Sequence, residues 1–245
     1  MPTPTPKLII FDFDGTLFDS HAAITTSVQL TFNSLLPSYN PPLADLNRLI
    51  SIGAPPEVTF KALQPQPGTD KLPDGNPTPV GFDENTWVHE YRSIYATHGQ
   101  PLTKPYPGAR EVLTTLRERG FKLAIISNKA VAAVKTALEA HGLDGIVDEE
   151  LIVGEPMFGG KRKPDPAGYT DVLVPRLGRE FEEGEVLMVG DTVTDVLFAR
   201  NIGARVCWCR FGQGDAEECE REKPEFEIER LADVIGVVDA LEDSI

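Results

Sequence analysis

The chain has 245 residues, 41% of them hydrophobic and 25% charged, which is ordinary for a globular protein and enough to bury a sizeable core. Its 23 Lys and Arg stand against 38 Asp and Glu, a formal net charge of -15. Affinity for nucleic acid is built on basic clusters, so this balance argues against it, and a small anionic substrate would need a local basic patch and a metal. Three cysteines, Cys207, Cys209 and Cys219, are too few and too close together for a disulfide framework and lack the further ligands of a zinc site, so reduced thiols are expected. The N-terminal MPTPTPKLII has neither a signal-peptide stretch nor a membrane span, and the expectation is a cytoplasmic protein with no membrane partner.

In chain order, Lys7 to Phe11 is a continuous apolar run that predicts a strand buried on both faces of a parallel sheet, ending at the acidic turn Asp12-Phe13-Asp14-Gly15-Thr16. From Ser20 to Pro105 the pattern is helical, with segments at Ala22 to Leu36 and Phe82 to His98 joined by a Pro-rich stretch, about 64–81. Ala109, Val112, Leu113 and Leu116 are spaced as on a helix that stops at Gly120. A second buried strand, Phe121 to Ile126, runs into Ser127-Asn128, and a helix through Val131, Val134 and Leu138 stops at Gly142. A third strand, Val186 to Val189, runs into Gly190-Asp191. Asp215 to Glu225 is strongly charged, and Leu231, Val234, Ile235, Val238 and Leu241 mark a final amphipathic helix. Alternating strands and helices predict an α/β protein with a Rossmann-like, doubly wound parallel sheet. The polar strand ends would then meet in the crevice where such sheets bind ligands. The predicted organisation is a core of residues 1–19 and 106–245 with a helical domain, 20–105, inserted into it.

Asp12 and Asp14 stand two residues apart at a strand end, where two carboxylates repel and resist ionisation unless a cation or a basic group compensates them. Mg2+ is the natural candidate, because it prefers carboxylate and phosphate oxygens.

Here the sequence resembles the haloacid dehalogenase superfamily of hydrolases. The first motif of that family reads DFDGTLFDS from Asp12 to Ser20, and Ser127-Asn128, Lys163 in KRKPDP and GDTVTD from Gly190 to Asp195 follow in the expected order. The resemblance implies that Asp12 is a nucleophile forming an aspartyl phosphate and Asp14 the general acid and base. It implies that Lys163 pairs with phosphoryl charge and with Asp12, and that Thr16, Ser127 and Asn128 serve phosphate binding. It implies a Mg2+ site from Asp12, the main-chain carbonyl of Asp14, Asp191 and Asp195. In the inserted cap, Gly53 and Arg92 resemble substrate-facing residues of relatives. The layout of YPGAREVLTTLRERGFKLAIISNK and KRKPDPAGY is closest in kind to phosphoglycolate-phosphatase-like members with a helical cap between the first two motifs. The partner so implied is a small phosphate ester acted on by a monomer or homodimer.

Each residue also has a plainer reading. Isolated Asp residues cap helices and shape turns, Ser127 and Asn128 could be a helix N-cap, and Lys161 and Arg162 compete with Lys163 in a basic run. Asp19 and Ser20 are expected to set the turn into the first cap helix, and no catalytic role falls to His21, His89, His98 or His141. Asp14 distinguishes phosphate-ester chemistry from the dehalogenases of the family, which lack it, and from the pump ATPases, which carry Thr there. A sugar phosphomutase of the beta-phosphoglucomutase type shares every motif, and a silent binding protein is the alternative from another class. The Pro-rich insertion and the segment GEPMFGGKR depart from the family pattern.

Overall fold

In the computed structural model of the protein the described residues are 6–65, 82–157, 159–182 and 184–243. The chain divides into two compact units, one of Met1–Asp19 with Lys104–Ile245 and one of Ser20–Thr103. In chain order the elements are β1 (Leu8–Phe11), β2 (Phe18–Asp19), α1 (His21–Leu35), α2 (Leu43–Ser51), α3 (Pro56–Leu63), α4 (Glu84–Ile94), β3 (Lys104–Pro105), α5 (Ala109–Glu118) and β4 (Lys122–Ala130). They continue with α6 (Val131–Ala140), β5 (Ile152–Glu155), α7 (Val174–Leu177), β6 (Val186–Gly190), α8 (Val193–Asn201), β7 (Arg205–Cys209), α9 (Ala216–Arg221), β8 (Phe226–Ile228) and α10 (Val234–Glu242).

The first unit is built on a six-stranded sheet in the order β5-β4-β1-β6-β7-β8, with every neighbouring pair parallel. β1 is fully buried along its length, as its unbroken LIIF run requires of a strand covered on both faces. From β1 the chain builds outward through β4 and β5, then returns to the other side of β1 and builds outward through β6, β7 and β8. Because parallel crossovers are right-handed, the two directions cover opposite faces with helices. α5 packs with α10, and α8 with α9. The reversal falls between β1 and β6, and there the carboxyl ends of two central strands open a crevice.

Three strands were read from the sequence and three others were not. Ile152-Val-Gly-Glu, Arg205-Val-Cys-Trp-Cys and Phe226-Glu-Ile mix polar with apolar residues, and β8 is only three residues long, so their strand character comes from pairing with neighbouring strands. The charged stretch after Asp215 holds α9, whose first turn is capped by Asp215 accepting from the Glu218 main-chain N–H at 3.0 Å.

The second unit has its own apolar core, in which Phe32 and Trp87 meet edge to face at 4.7 Å and Phe60 lies 5.3 Å from Trp87. α4 starts at an Asp83 cap that accepts from the Thr86 N–H at 3.2 Å, and its end widens into a π turn over Tyr95–Gly99. The unit ends at Thr103, and Lys104 and Pro105 pair antiparallel with Asp19 and Phe18 within the first unit. The Pro-rich stretch lies outside the described residues from 66 to 81.

Candidate active site

The crevice at the end of β1 and β6 gathers four acids and two lysines from five segments. Asp12 follows β1 directly, and its main-chain N–H continues the sheet ladder to Val189 on β6 at 2.9 Å. The turn after it passes through Gly15 at φ +82°, where a Cβ would meet Asp191 Oδ2 at 2.1 Å. A glycine is therefore needed there twice, for its left-handed backbone and for the space that Asp191 occupies.

Asp191 is fully buried at the end of β6 and is held on every side. Its Oδ1 accepts from the Thr16 hydroxyl at 2.9 Å, and its Oδ2 accepts from the Gln213 main-chain N–H at 2.8 Å. Its main-chain carbonyl accepts from the Trp208 indole at 3.0 Å and lies 3.6 Å from the Cys219 thiol. Asp195 stands in the first turn of α8, where its Oδ2 accepts from the N–H groups of Asp191 and Thr192 at 3.2 and 3.0 Å and from the Thr192 hydroxyl at 2.8 Å. Its other oxygen accepts from Lys163 at 2.6 Å. The capping reading and the site reading of Asp195 thus describe the two oxygens of one carboxylate.

Lys163 is buried, with its ammonium donating to Asp12 Oδ1 at 2.7 Å as well as to Asp195. Burial works to strip its proton, but the two carboxylates outweigh that effect and hold its pKa above the ordinary lysine value. Asn128 sets where Lys163 stands, since its side-chain carbonyl accepts from the Lys163 N–H at 2.9 Å and its amide donates to the Lys163 carbonyl at 3.3 Å. Arg162 spans from the Asn128 carbonyl, 3.2 Å, to Glu155, 2.7 Å, and points away from the role of Lys163. Burial pushes the Asp12 carboxyl up to about 7; Lys163 works against that shift, and Asp195 and Asp14 add to it. Burial, then Asp195 and Asp12, likewise raise Asp191 well above the usual carboxylate range.

Asp12, Asp191 and Asp195 each offer a carboxylate oxygen within 4.8 Å of the others. Such a group of buried acids, all oxygen donors and touched by the single ammonium of Lys163 among the described residues, suits a hard divalent cation. The Asp14 carboxyl is outside this trio, and the expectation for Asp14 as a ligand concerned its carbonyl. The Asp14 side chain pairs with Lys129.

Of the expected phosphate-binding residues, Ser127 is buried at the crevice end of β4, with its hydroxyl accepting from the Lys129 N–H at 3.3 Å. Neither Ser127 nor Asn128 caps α6, because β4 runs on to Ala130. The Thr16 hydroxyl is given to Asp191, so its side chain serves that carboxylate. Gly53 and Arg92 lie in the second unit, Gly53 at φ +67° just after α2 and Arg92 on the exposed side of α4. Sequence reasoning passed over Lys129, Thr192, Trp208 and the Phe211–Gly214 turn. Lys129 stood beside a motif already in hand, and the two glycines of Gly212-Gln213-Gly214 marked the turn that closes on Asp191.

The haloacid dehalogenase-like hydrolase profile matches residues 9–209, and the chain belongs to that family. It is phosphoglycolate-phosphatase-like: over 234 residues it is 31% identical to the phosphoglycolate phosphatase of Aquifex aeolicus, covering 95% of this chain and 97% of that one. It is 26% identical over 230 residues to the pyrophosphatase PpaX of Halalkalibacterium halodurans, covering 94% and 95%. A haloacid dehalogenase-like hydrolase of Bacteroides fragilis shares its fold, with a TM-score of 0.76, 24% identity, and coverage of 94% and 100%. Among the described residues no helix is long and apolar enough to cross a membrane.

Proposed function

We propose that this protein is a Mg2+-dependent phosphatase that hydrolyses a small phosphate monoester through a phosphorylated Asp12. The observation that carries the reading is the arrangement around Asp12, a buried carboxylate at the central strand end bonded to Lys163 and within 4.8 Å of two further acids. In the first step a carboxylate oxygen of Asp12 bonds to phosphorus as the ester P–O bond breaks, and Asp14 gives its proton to the departing alkoxide. In the second, Asp14 takes a proton from water as the water oxygen bonds to phosphorus, and the Asp12–phosphorus bond breaks to release inorganic phosphate. Lys163 stays charged throughout and offsets the phosphoryl charge, with Asn128 holding it in place, and Ser127 donates to a phosphoryl oxygen. Asp12, the carbonyl of Asp14, Asp191 and Asp195 would hold Mg2+, which when bound supplies positive charge beside the nucleophile and the phosphoryl oxygens. The Ser20–Thr103 unit, with Gly53 and Arg92, would act as the cap that selects the leaving group.

Relatives named for phosphoglycolate and pyrophosphate place both in the first panel of esters and anhydrides to assay for released phosphate, with and without Mg2+. Release should need the metal, and Asp12→Asn should lower it by about 10³-fold or more. Undiminished release by Asp12→Asn would overturn the nucleophile. Phosphoryl transfer between positions of a sugar phosphate without net release would replace hydrolysis by mutase chemistry.

A further inference from the structure

Lys129 has no part in the chemistry above, yet its ammonium lies 3.1 and 3.2 Å from the two oxygens of Asp14. Its side chain is 9% exposed, against 21% for Asp14. An ammonium in contact with both oxygens is a point charge set squarely against the carboxyl group, and it anchors the Asp14 side chain toward β4. The backbone that carries Lys129 is itself fixed. Its carbonyl faces Gly154 on β5, where a Cβ would come within 2.6 Å of it, and its N–H donates to Ser127. The ammonium also lies 6.0 Å from the centre of the Phe13 ring, which closes one side of the pair. The two lysines thus divide the acids, Lys163 taking Asp12 and Asp195 and Lys129 taking Asp14.

We propose that Lys129 is a positioning residue that orients the Asp14 carboxyl toward the leaving oxygen and stays paired with it as its proton departs. The proposal rests on the assignment of Asp14 as acid and base in the preceding section. As the P–O bond breaks, its electron pair goes to the leaving oxygen, which takes the proton of Asp14. The O–H electron pair remains on Asp14 as a carboxylate charge facing the Lys129 ammonium, which keeps its own three protons. The benefit is therefore greatest where the leaving group must be protonated.

The test compares kcat/KM, which reports the step in which the leaving group departs, on two probes with Mg2+ present. One is the alkyl phosphate of the panel turned over fastest, and the other is p-nitrophenyl phosphate, whose phenolate leaves without a proton. Lys129→Met should lower kcat/KM on the alkyl ester by about 10²-fold and on the aryl ester by less than about 5-fold. Lys129→Arg should recover about 10-fold of the loss. In an Asp14→Asn background, Lys129→Met should cost no more than about 2-fold further. Equal losses on both esters in a variant with unchanged melting temperature, or losses that add to those of Asp14→Asn, would overturn the positioning role while leaving the phosphatase reading intact. Should Lys129→Met unfold, the leaving-group pattern of Lys129→Arg decides instead, a selective loss on the alkyl ester supporting the role and an equal loss refuting it. A wild-type protein that cleaves neither probe would overturn the phosphatase reading itself, and the role of Lys129 with it.

Discussion

A methyl group added at Gly15 would have to be carried at φ +82° and would stand 2.1 Å from Asp191 Oδ2. Asp191 cannot retreat, since its oxygens are held by Thr16 and Gln213 and a Cβ at Gly214 would lie 2.0 Å from its carbonyl. Gly15→Ala should therefore destabilise the protein by about 1–3 kcal/mol and displace the carboxylate trio. Phosphate release should fall about 100-fold or more, because small displacements of catalytic groups cost that much. Denaturant melts and the panel assay check both, and a variant with wild-type turnover would show that the crowding relaxes harmlessly. At this scale much was legible. Asp12 and Asp14 stood out as two carboxylates at the end of a buried strand, and Asp191 and Asp195 through the resemblance of GDTVTD to a family motif. The pairing of Lys129 with Asp14 was not legible, because nothing in SNK says which of 38 acids its ammonium reaches.

The start of α8 shows how one element serves both helix and site. Asp195 is three residues past Thr192, so the carboxylate that accepts from the N–H groups of the cap residue Thr192 and of Asp191 before it also faces Lys163. Thr192→Val keeps the shape and removes the hydroxyl that donates to Asp195 Oδ2. It should cost about 1 kcal/mol in urea unfolding and lower turnover several-fold without changing the pattern of substrates. A loss of turnover with no loss of stability would mean that the hydroxyl meets the substrate and not the helix cap. Among the elements, β1, β6 and the first half of β4 were readable because they carry unbroken apolar runs, whereas β5, β7 and β8 were not. An edge strand such as Phe226–Ile228 is short and mixed, and it is extended because β7 offers it a ladder.

Over the whole molecule, the three cysteines report how well the sheet is sealed. All are buried free thiols; burial pushes Cys207 and Cys219 up to about 12 and raises Cys209 as well. Unfolded thiols ionise near 9, so above that pH the native state binds more protons than the unfolded one, and stability falls as pH rises from about 9 toward 12. Urea midpoints should be level in this respect below about pH 8 and decline above pH 9, and the decline should shrink when the three cysteines are replaced by alanine. An aromatic disulfide reagent at pH 8 should label no thiol in the native protein and three after unfolding. Rapid labelling of the folded protein would show that the β7 side of the sheet opens.

By itself the sequence determined the family, the α/β class, the central strands and the acids that end them, because buried parallel strands and their terminal motifs are contiguous signals a few residues long. It also determined that a helical segment interrupts the core after the first motif. Tertiary structure decided the rest. Only folding brings Gln213 and Trp208 onto Asp191, gives Asn128 the main chain of Lys163 to hold, and sets Lys129 against Asp14. These contacts join residues from 17 to 115 positions apart, and at such separations the pairing is set by strand order and register, which no local pattern of residues records.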